Sequence, residues 1–497
     1  MGSLPPAVHY PDASDETLVL SHATAAEQEQ TWTLNHREWG GPLDLPAYLK
    51  REPFLASTPL AADGGMMHWI LTDEKDAVSS STTTAHPRRV LASCETIRKR
   101  VLYVPRGGDD VREGLGYGIG SVYTYPEFRG KKYAARMLRE LGVVLKRWPG
   151  EEQWLRKKRS QKQGLGNGVS DNSEVTNGNH VVGSPEQVNG QTTKLDNTEP
   201  GEAVCSALWS DIGKRFYASK GWPVYASEHV EFPSSSPSSP PGVSSLLERS
   251  SQPHGTALTL APVNTSNIAP LCHEDETQLR AELLRHARET GRTAFAFAPD
   301  PDVFRWHWAR EGFIASHVFP GRAASEVRGL IATVGSPSTE IPGEANGAKA
   351  EEKTTRMWAI WTRNYGADAA TNAAKNTLYI LRLVIDNSNN SGGSGSTTTT
   401  TTDPKALQLA FDAILHGALD AARAWHCGSV HLWNPTPAVR DLIAGSGVAH
   451  RFVNRELDSI PSMMWYGSDD DAGKAGKKEE GEGEGVDWIA NEKYCWC

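Results

Sequence analysis

Residues 129 to 134, Arg-Gly-Lys-Lys-Tyr-Ala, set three cations and a glycine where a strand gives way to a helix. The run Ser121 to Tyr125 is β-prone and is cut by Pro126. Ala134, Met137, Leu138, Leu141, Leu145 and Trp148 then recur at helical spacing. The first turn of such a helix leaves N–H groups unpaired at the positive end of its dipole, which suits a phosphate. Gly130 lets a ligand approach the backbone. Arg129, Lys131 and Lys132 add charge, and Tyr133 and Ala134 open the helix. The chemistry expected is a pyrophosphate cradle, although a basic turn taken alone also fits a surface loop.

The chain that must position this loop has 497 residues, enough for two domains plus linkers. Hydrophobic residues make up 38%, with 16 Trp, 13 Tyr and 11 Phe, so real cores can form. A formal net charge of -9 argues against a nucleic-acid partner. No apolar run is long enough to span a bilayer, the start MGSLPPAVHY has no signal-peptide core, and Pro6 breaks the myristoylation pattern. The six cysteines are scattered without a CxxC pair. A cytoplasmic protein without a membrane partner is expected, its oligomeric state open. His307 and His317 have neither the spacing nor the carboxylate partners of a metal site, so no metal is expected. The end, Cys495-Trp496-Cys497, is not a C-a-a-X box and reads as two exposed tail thiols.

Polar, Gly/Ser/Pro-rich or charged composition marks residues 157–203, 233–256, 335–355, 386–403 and 467–497 as stretches that cannot bury enough apolar area to order. Setting these and the N-terminal tail 1–13 aside leaves two bodies, 14–232 and 257–466. The first reads as a helix over Ala23 to Trp32, strand-like runs MMHWILTD, RRVLASCETIRKRVLYV and GIGSVYTY, then the helix over 131–148. After the insert come a strand at Ala203 to Trp209 and a helix at Ile212 to Lys220. The second has strands near Ala294 to Phe297, Val327 to Val334, Arg356 to Tyr365 and Thr377 to Ile385. A helix over Pro404 to Trp425, a strand at Ser429 to Trp433 and a helix at Pro437 to Ala444 follow.

The segment Val122-Tyr-Thr-Tyr-Pro-Glu-Phe-Arg-Gly-Lys-Lys-Tyr-Ala134 resembles the acyl-CoA strand and loop of the GNAT N-acetyltransferases. The later strand and helix, Cys205 to Trp222 with Phe216, Tyr217, Gly221 and Trp222, resemble that family's closing FYxxxGF-like element. Lys132 stands where the family carries Gly. The resemblance implies an α/β (α+β) fold, a GNAT mixed sheet flanked by helices and followed by a second, degenerate GNAT-like α/β domain. It also implies acetyl-CoA as co-substrate. Val122, Tyr123 and Thr124 would pair with its pantetheine arm, Arg129 to Ala134 would hold its pyrophosphate, and Ser210 would stand in for a cofactor-contacting Asn. Tyr217 would protonate the departing thiolate.

A lysine ε-amine is only ~0.04% neutral at pH 7, so a base or water chain is needed. The family position for a carboxylate base falls near Cys205, leaving Asp211 and Glu127 close in sequence. Asp211 also reads as an N-cap for a helix starting at Ile212, and Glu127 as a solvated loop charge. Glu38, Trp39 and Asp44 lie in the segment that covers the acceptor site in the family and could recognise a cation. Trp306-His307-Trp308 and Trp433 could line a pocket between the bodies or simply pack a core.

Over the whole chain, LWSDIGKRFY, the large insert and VHLWNP resemble the fungal lysine N6-acetyltransferase family of lysine catabolism. The small-molecule acceptor implied by that resemblance is L-lysine. An acetyltransferase for another amine, or a non-catalytic acyl-CoA-binding or scaffold protein, stays open.

Overall fold

The computed structural model describes residues 10–78, 87–146, 203–234, 257–335, 354–386, 403–467 and 485–496. The expected unstructured stretches at 157–202, 235–256, 336–353, 387–402 and 468–484, like residues 1–9, lie outside them.

Helix α1 (Ala25–Trp39) starts at Thr24, whose capping box with Glu27 satisfies donors at both ends of the turn. Helix α2 (Leu45–Ala56) is capped by Asp44. Two short helices and two long ones follow: α3 (Glu74–Val78), α4 (Tyr133–Lys146), α5 (Arg215–Ala218) and α6 (Ile268–Thr290). Helices α7 (Pro301–Val318), α8 (Pro404–Ala424) and α9 (Pro437–Gly445) lie in the second half.

The first sheet has eight strands. Its spine is β1 (Leu18–His22), β2 (Met66–Asp73), β3 (Ala92–Val104), β4 (Arg112–Thr124) and β5 (Ala203–Ser210). Strand β6 (Glu228–Pro233) belongs to the second sheet, with β7 (Ala257–Val263) at that sheet's far edge. Strand β8 (Thr293–Phe297) crosses back and pairs antiparallel with β3, Val101 opposite Phe297. The second sheet is filled by β9 (Gly329–Gly335), β10 (Thr354–Asn364), β11 (Thr377–Asp386), β12 (Ser429–Trp433) and β13 (Arg451–Asn454). Strand β14 (Ile460–Trp465) covers β5, and β15 (Val486–Trp488) adds to β8.

The division at 232/257 therefore does not separate two bodies. Each sheet takes strands from both parts of the chain, because β5 and β12 would otherwise leave long unpaired edges. Within the expected tail 467–497, the described segment 485–496 is corrected likewise. Ile489 N donates to Phe295 O at 2.8 Å, the Tyr494 hydroxyl donates to Phe297 O at 2.7 Å, and Tyr494 and Cys495 are fully buried. Cys495 is not an exposed thiol: an aromatic pocket compensates the ordering of a segment whose composition is otherwise polar.

Helix α4 lays Met137, Leu138, Leu141 and Leu145, all at 0% exposure, against the first sheet. Each such side chain contributes roughly 1.5–3 kcal/mol. Helices α6 and α7 and strands β1, β6, β7 and β14 were not read from the sequence.

Candidate active site

Strands β4 and β5 run parallel from Leu115/Ala203 to Ile119/Leu208 and then part. Beyond Ile119, β4 keeps β3 on one side, while its other edge faces an opening. A bulge sits at the parting: Ser93 lies opposite Tyr123 and Glu95 opposite Gly120, so Ser121 and Val122 face Cys94 alone. Ser121 takes the left-handed φ of 51° that this geometry needs.

Below the bulge is a cavity of about 210 Å³. Trp39, Ser121, Val122, Asp211 and Tyr217 line it from the first part of the chain, with Glu52, Arg51 and Tyr48 from α2 and Glu95 from β3. Trp306 and Arg310 of α7 and Trp496 of the terminal segment close it. The pocket is thus built by both parts of the chain.

Tyr217 is 7% exposed. Burial first, then the Asp211 charge, pushes its hydroxyl well above the ordinary phenol range, so it stays protonated. Asp211 does not cap a helix at Ile212, because α5 starts only at Arg215 and its N-cap position makes no side-chain bond. Its carboxylate accepts instead from Ser459 N at 2.9 Å, and burial raises its pKa. Glu95 is the buried carboxylate that the sequence reading missed. It accepts from Ser121 Oγ at 2.8 Å and Trp32 Nε1 at 3.3 Å, and lies 3.2 Å from His68 Nδ1. Burial raises its pKa, and likewise that of Glu52. His68 is pushed down to about 4 by burial and stays neutral at pH 7.

The loop before α4 has Gly130 at φ +79° and Lys132 at φ +66°. A Cβ on Gly130 would meet nothing within 4 Å, so open space lies beside the first turn of α4. Arg129 is tied back, its Nε donating to Thr124 O at 3.1 Å, with its guanidinium over Tyr123. Lys131 and Lys132 are exposed. Tyr133 departs from a cofactor-contacting side chain: it is 1% exposed and its hydroxyl donates to Pro11 O at 2.6 Å. Ala134 is partly buried in the first turn.

Other expected residues are placed elsewhere. Ser210 Oγ donates to Gly213 O at 2.7 Å and accepts from Ile212 N at 3.2 Å, so both capacities close a turn. Glu38 lies 3.8 Å from Arg129 at the surface, and Asp44 caps α2 by accepting from Ala47 N at 2.9 Å. Of the acceptor-covering set, Trp39 alone reaches the cavity, with its ring edge on Tyr123. Of the aromatic run, Trp306 lines the cavity while Trp308 packs the core and donates to Trp361 O at 3.0 Å. Among the described residues His229, Glu231 and His431 put possible ligand atoms within 4.8 Å. Glu231, however, already pairs with Arg451, and His431 Nε2 lies 3.0 Å from Ser429 Oγ.

A glutamate mid-strand between Cys94 and Thr96 was the available signal for Glu95. Arg51, Glu52 and Arg310 gave none, since exposed helix charges look the same in sequence.

A mixed sheet with a parallel pair parting at a bulge, and a basic loop opening a helix beside the gap, defines a GNAT N-acetyltransferase fold. Residues 244–497 match the family described as "LYC1 GNAT-like C-terminal domain", and the chain belongs to that family. It is 23% identical over 299 residues to a lysine acetyltransferase of Yarrowia lipolytica. That match covers 58% of this chain and 64% of the relative, so the chain spans less than two thirds of the relative's length. Among solved structures it is similar to a probable N-acyltransferase from Enterococcus faecalis V583, with 10% identity, a TM-score of 0.41, and 90% and 72% of the two chains covered. It is also similar to Saccharomyces cerevisiae N-myristoyltransferase with bound myristoyl-CoA, with 10% identity, a TM-score of 0.39, and coverage of 90% and 79%. No helix among the described residues is long and apolar enough to cross a membrane.

Proposed function

We propose that the protein transfers acetyl from acetyl-CoA to a primary amine, and that the amine is the ε-amine of free L-lysine, in the cytoplasm. The observation that carries the reading is the convergence of Tyr217 with the carboxylates Glu52 and Glu95 around one cavity under the β4 bulge. The five cysteines among the described residues are buried and free, which suits a reducing compartment.

The residues fit an acyl-CoA. Among the described residues no strand pairs with β4 past Ile119 on its β5 side, and Thr124 Oγ1 there is buried without a partner among them. The amides of the α4 first turn, with Gly130, Lys131 and Lys132, would face the pyrophosphate, and Val122 to Thr124 the pantetheine arm. The thioester supplies an activated acetyl group.

The chain's residues do the rest. Glu52 and Glu95 draw in the ammonium. Glu95, with its pKa raised, takes the proton from it directly or through one water. The bulge at Ser121–Val122 turns backbone toward the reacting carbonyl. Tyr217 gives its proton to the leaving sulfur and recovers one from the amine nitrogen as the amide forms. Trp39, Trp306 and Trp496 exclude bulk water.

Free-thiol release from acetyl-CoA with L-lysine, ornithine, spermidine and a lysine peptide tests the reading. Release led by L-lysine, with N6-acetyl-lysine seen by mass spectrometry, is expected. No release with any amine would sink it.

A further inference from the structure

The cavity's far wall holds a cation that Glu52 opposes through space but that no carboxylate contacts directly among the described residues. Arg310 projects from α7 into the pocket. Among the described residues it forms no ion pair; its Nη1 donates to the neutral Asn364 Oδ1 at 3.1 Å, and its guanidinium sits 5.6 Å from the Trp496 ring centre. Three buried guanidinia of the second half of the chain are matched by carboxylates. Arg328 pairs with Glu311 at 2.5 Å, as does Arg363, and Arg382 pairs with Asp275 at 2.7 Å. Burial and the charge of Arg51 push the Arg310 pKa down to about 10. Arg310 is half-buried and keeps donors that Asn364 does not use, so an anion entering the cavity can take a charge-assisted hydrogen bond from it.

Arg51 comes from the opposite wall. Helix α2 packs on α7 through Phe54 and Phe313, with ring centres 5.5 Å apart, and Arg51 lines the same cavity. Its Nε and Nη2 both donate to Glu52 and its Nη1 donates to Trp39 O at 3.4 Å, so Arg51 serves mainly to hold Glu52. The cavity therefore carries the carboxylates Glu52 and Glu95, with Glu52 held by Arg51 on α2, and the guanidinium of Arg310 on α7. A molecule bearing an amine at one end and a carboxylate at the other matches both; a polyamine matches one.

Building on the transfer reading above, we propose that Arg310, donated by the second part of the chain, anchors the α-carboxylate of the acceptor, so that the enzyme selects free amino acids over simple diamines. The second half then acts as a specificity element whether or not it binds a nucleotide of its own.

Calorimetric titration of L-lysine and of cadaverine, which is lysine without its carboxylate, tests this on the full chain as wild type, Arg310→Gln and Arg310→Lys. Losing a charge-assisted contact should weaken lysine binding by at least about tenfold in Arg310→Gln. Cadaverine binding should stay unchanged, and Arg310→Lys should recover part of the loss. Equal lysine and cadaverine affinity in the wild type, no lysine binding at all, or equal weakening of both ligands in Arg310→Gln would overturn the anchor. Thiol release is scored separately. Selective lysine binding without turnover keeps the anchor and sinks acetyl transfer, whereas turnover without selectivity does the reverse.

Discussion

Ser121 Oγ donates to Glu95 Oε2 at 2.8 Å, across the bulge where two residues of β4 face one of β3. The bond ties the carboxylate to the same backbone irregularity that the proposed reading sets beside the thioester. Removing the donor leaves Trp32 Nε1 at 3.3 Å as the remaining hydrogen-bond donor to Glu95 among the described residues.

Glu95→Gln should lower kcat by at least about a hundredfold if Glu95 is the base. Burial raises its pKa, so wild-type rate should climb with pH above the ordinary carboxylate range, and the variant should lack that limb. The stability sign follows. A folded-state pKa above the unfolded value means stability is full below about 4.3 and declines as pH rises through the folded pKa. Glu95→Gln should therefore gain relative stability with rising pH, read by urea melts across a pH series. A parallel pH dependence in both proteins would remove the buried carboxylate from the account.

Tyr217→Phe should cut turnover by at least about tenfold and leave acetyl-CoA affinity nearly unchanged. Stopped-flow thiol release with a matched binding titration checks it. Full activity in the variant would take Tyr217 out of the mechanism.

Lys132 has φ +66°, a region that costs a non-glycine residue roughly 1–2 kcal/mol. Lys132→Gly should raise the unfolding free energy by about 1 kcal/mol while removing one charge from the phosphate loop. A chemical melt measures the first effect and an acetyl-CoA titration the second. A destabilised variant would show that the lysine side chain holds the loop.

His68, held down at about 4, is neutral where the unfolded chain has pKa about 6.5. The unfolded state binds the extra proton first, so stability should fall as pH drops from 6.5 to about 4. The loss through this group is up to roughly 3 kcal/mol. His68→Gln should flatten that slope; an unchanged slope would assign acid lability to other groups.

Local elements were legible where one signal dominated. Helix α4 announced itself through Met137, Leu138, Leu141 and Leu145, and β11, α8 and β12 through long apolar patterns. Helix α6 was not, because Asp275, 1% exposed and paired with Arg382, interrupts its apolar stripe. The basic loop and the helix it opens could be read from local chemistry, whereas the cavity could not. Its carboxylates and guanidinia come from α2, β3 and α7, and only the tertiary fold makes them neighbours. The same holds for Tyr494 and Cys495, which a charged, glycine-rich run precedes in sequence but which end in the core.

The exchange of strands between the sheets sets the order in which the chain can mature. While residues up to 234 are emerging from a ribosome, β5 has no β14, β3 has no β8 and β6 has no sheet to join. A nascent chain of that length presents three strand edges to its surroundings, each a template for pairing with another chain. The cavity under the β4 bulge gains its Trp496 wall only when the last described residues have been synthesised, so a chain that stops before them leaves that side open.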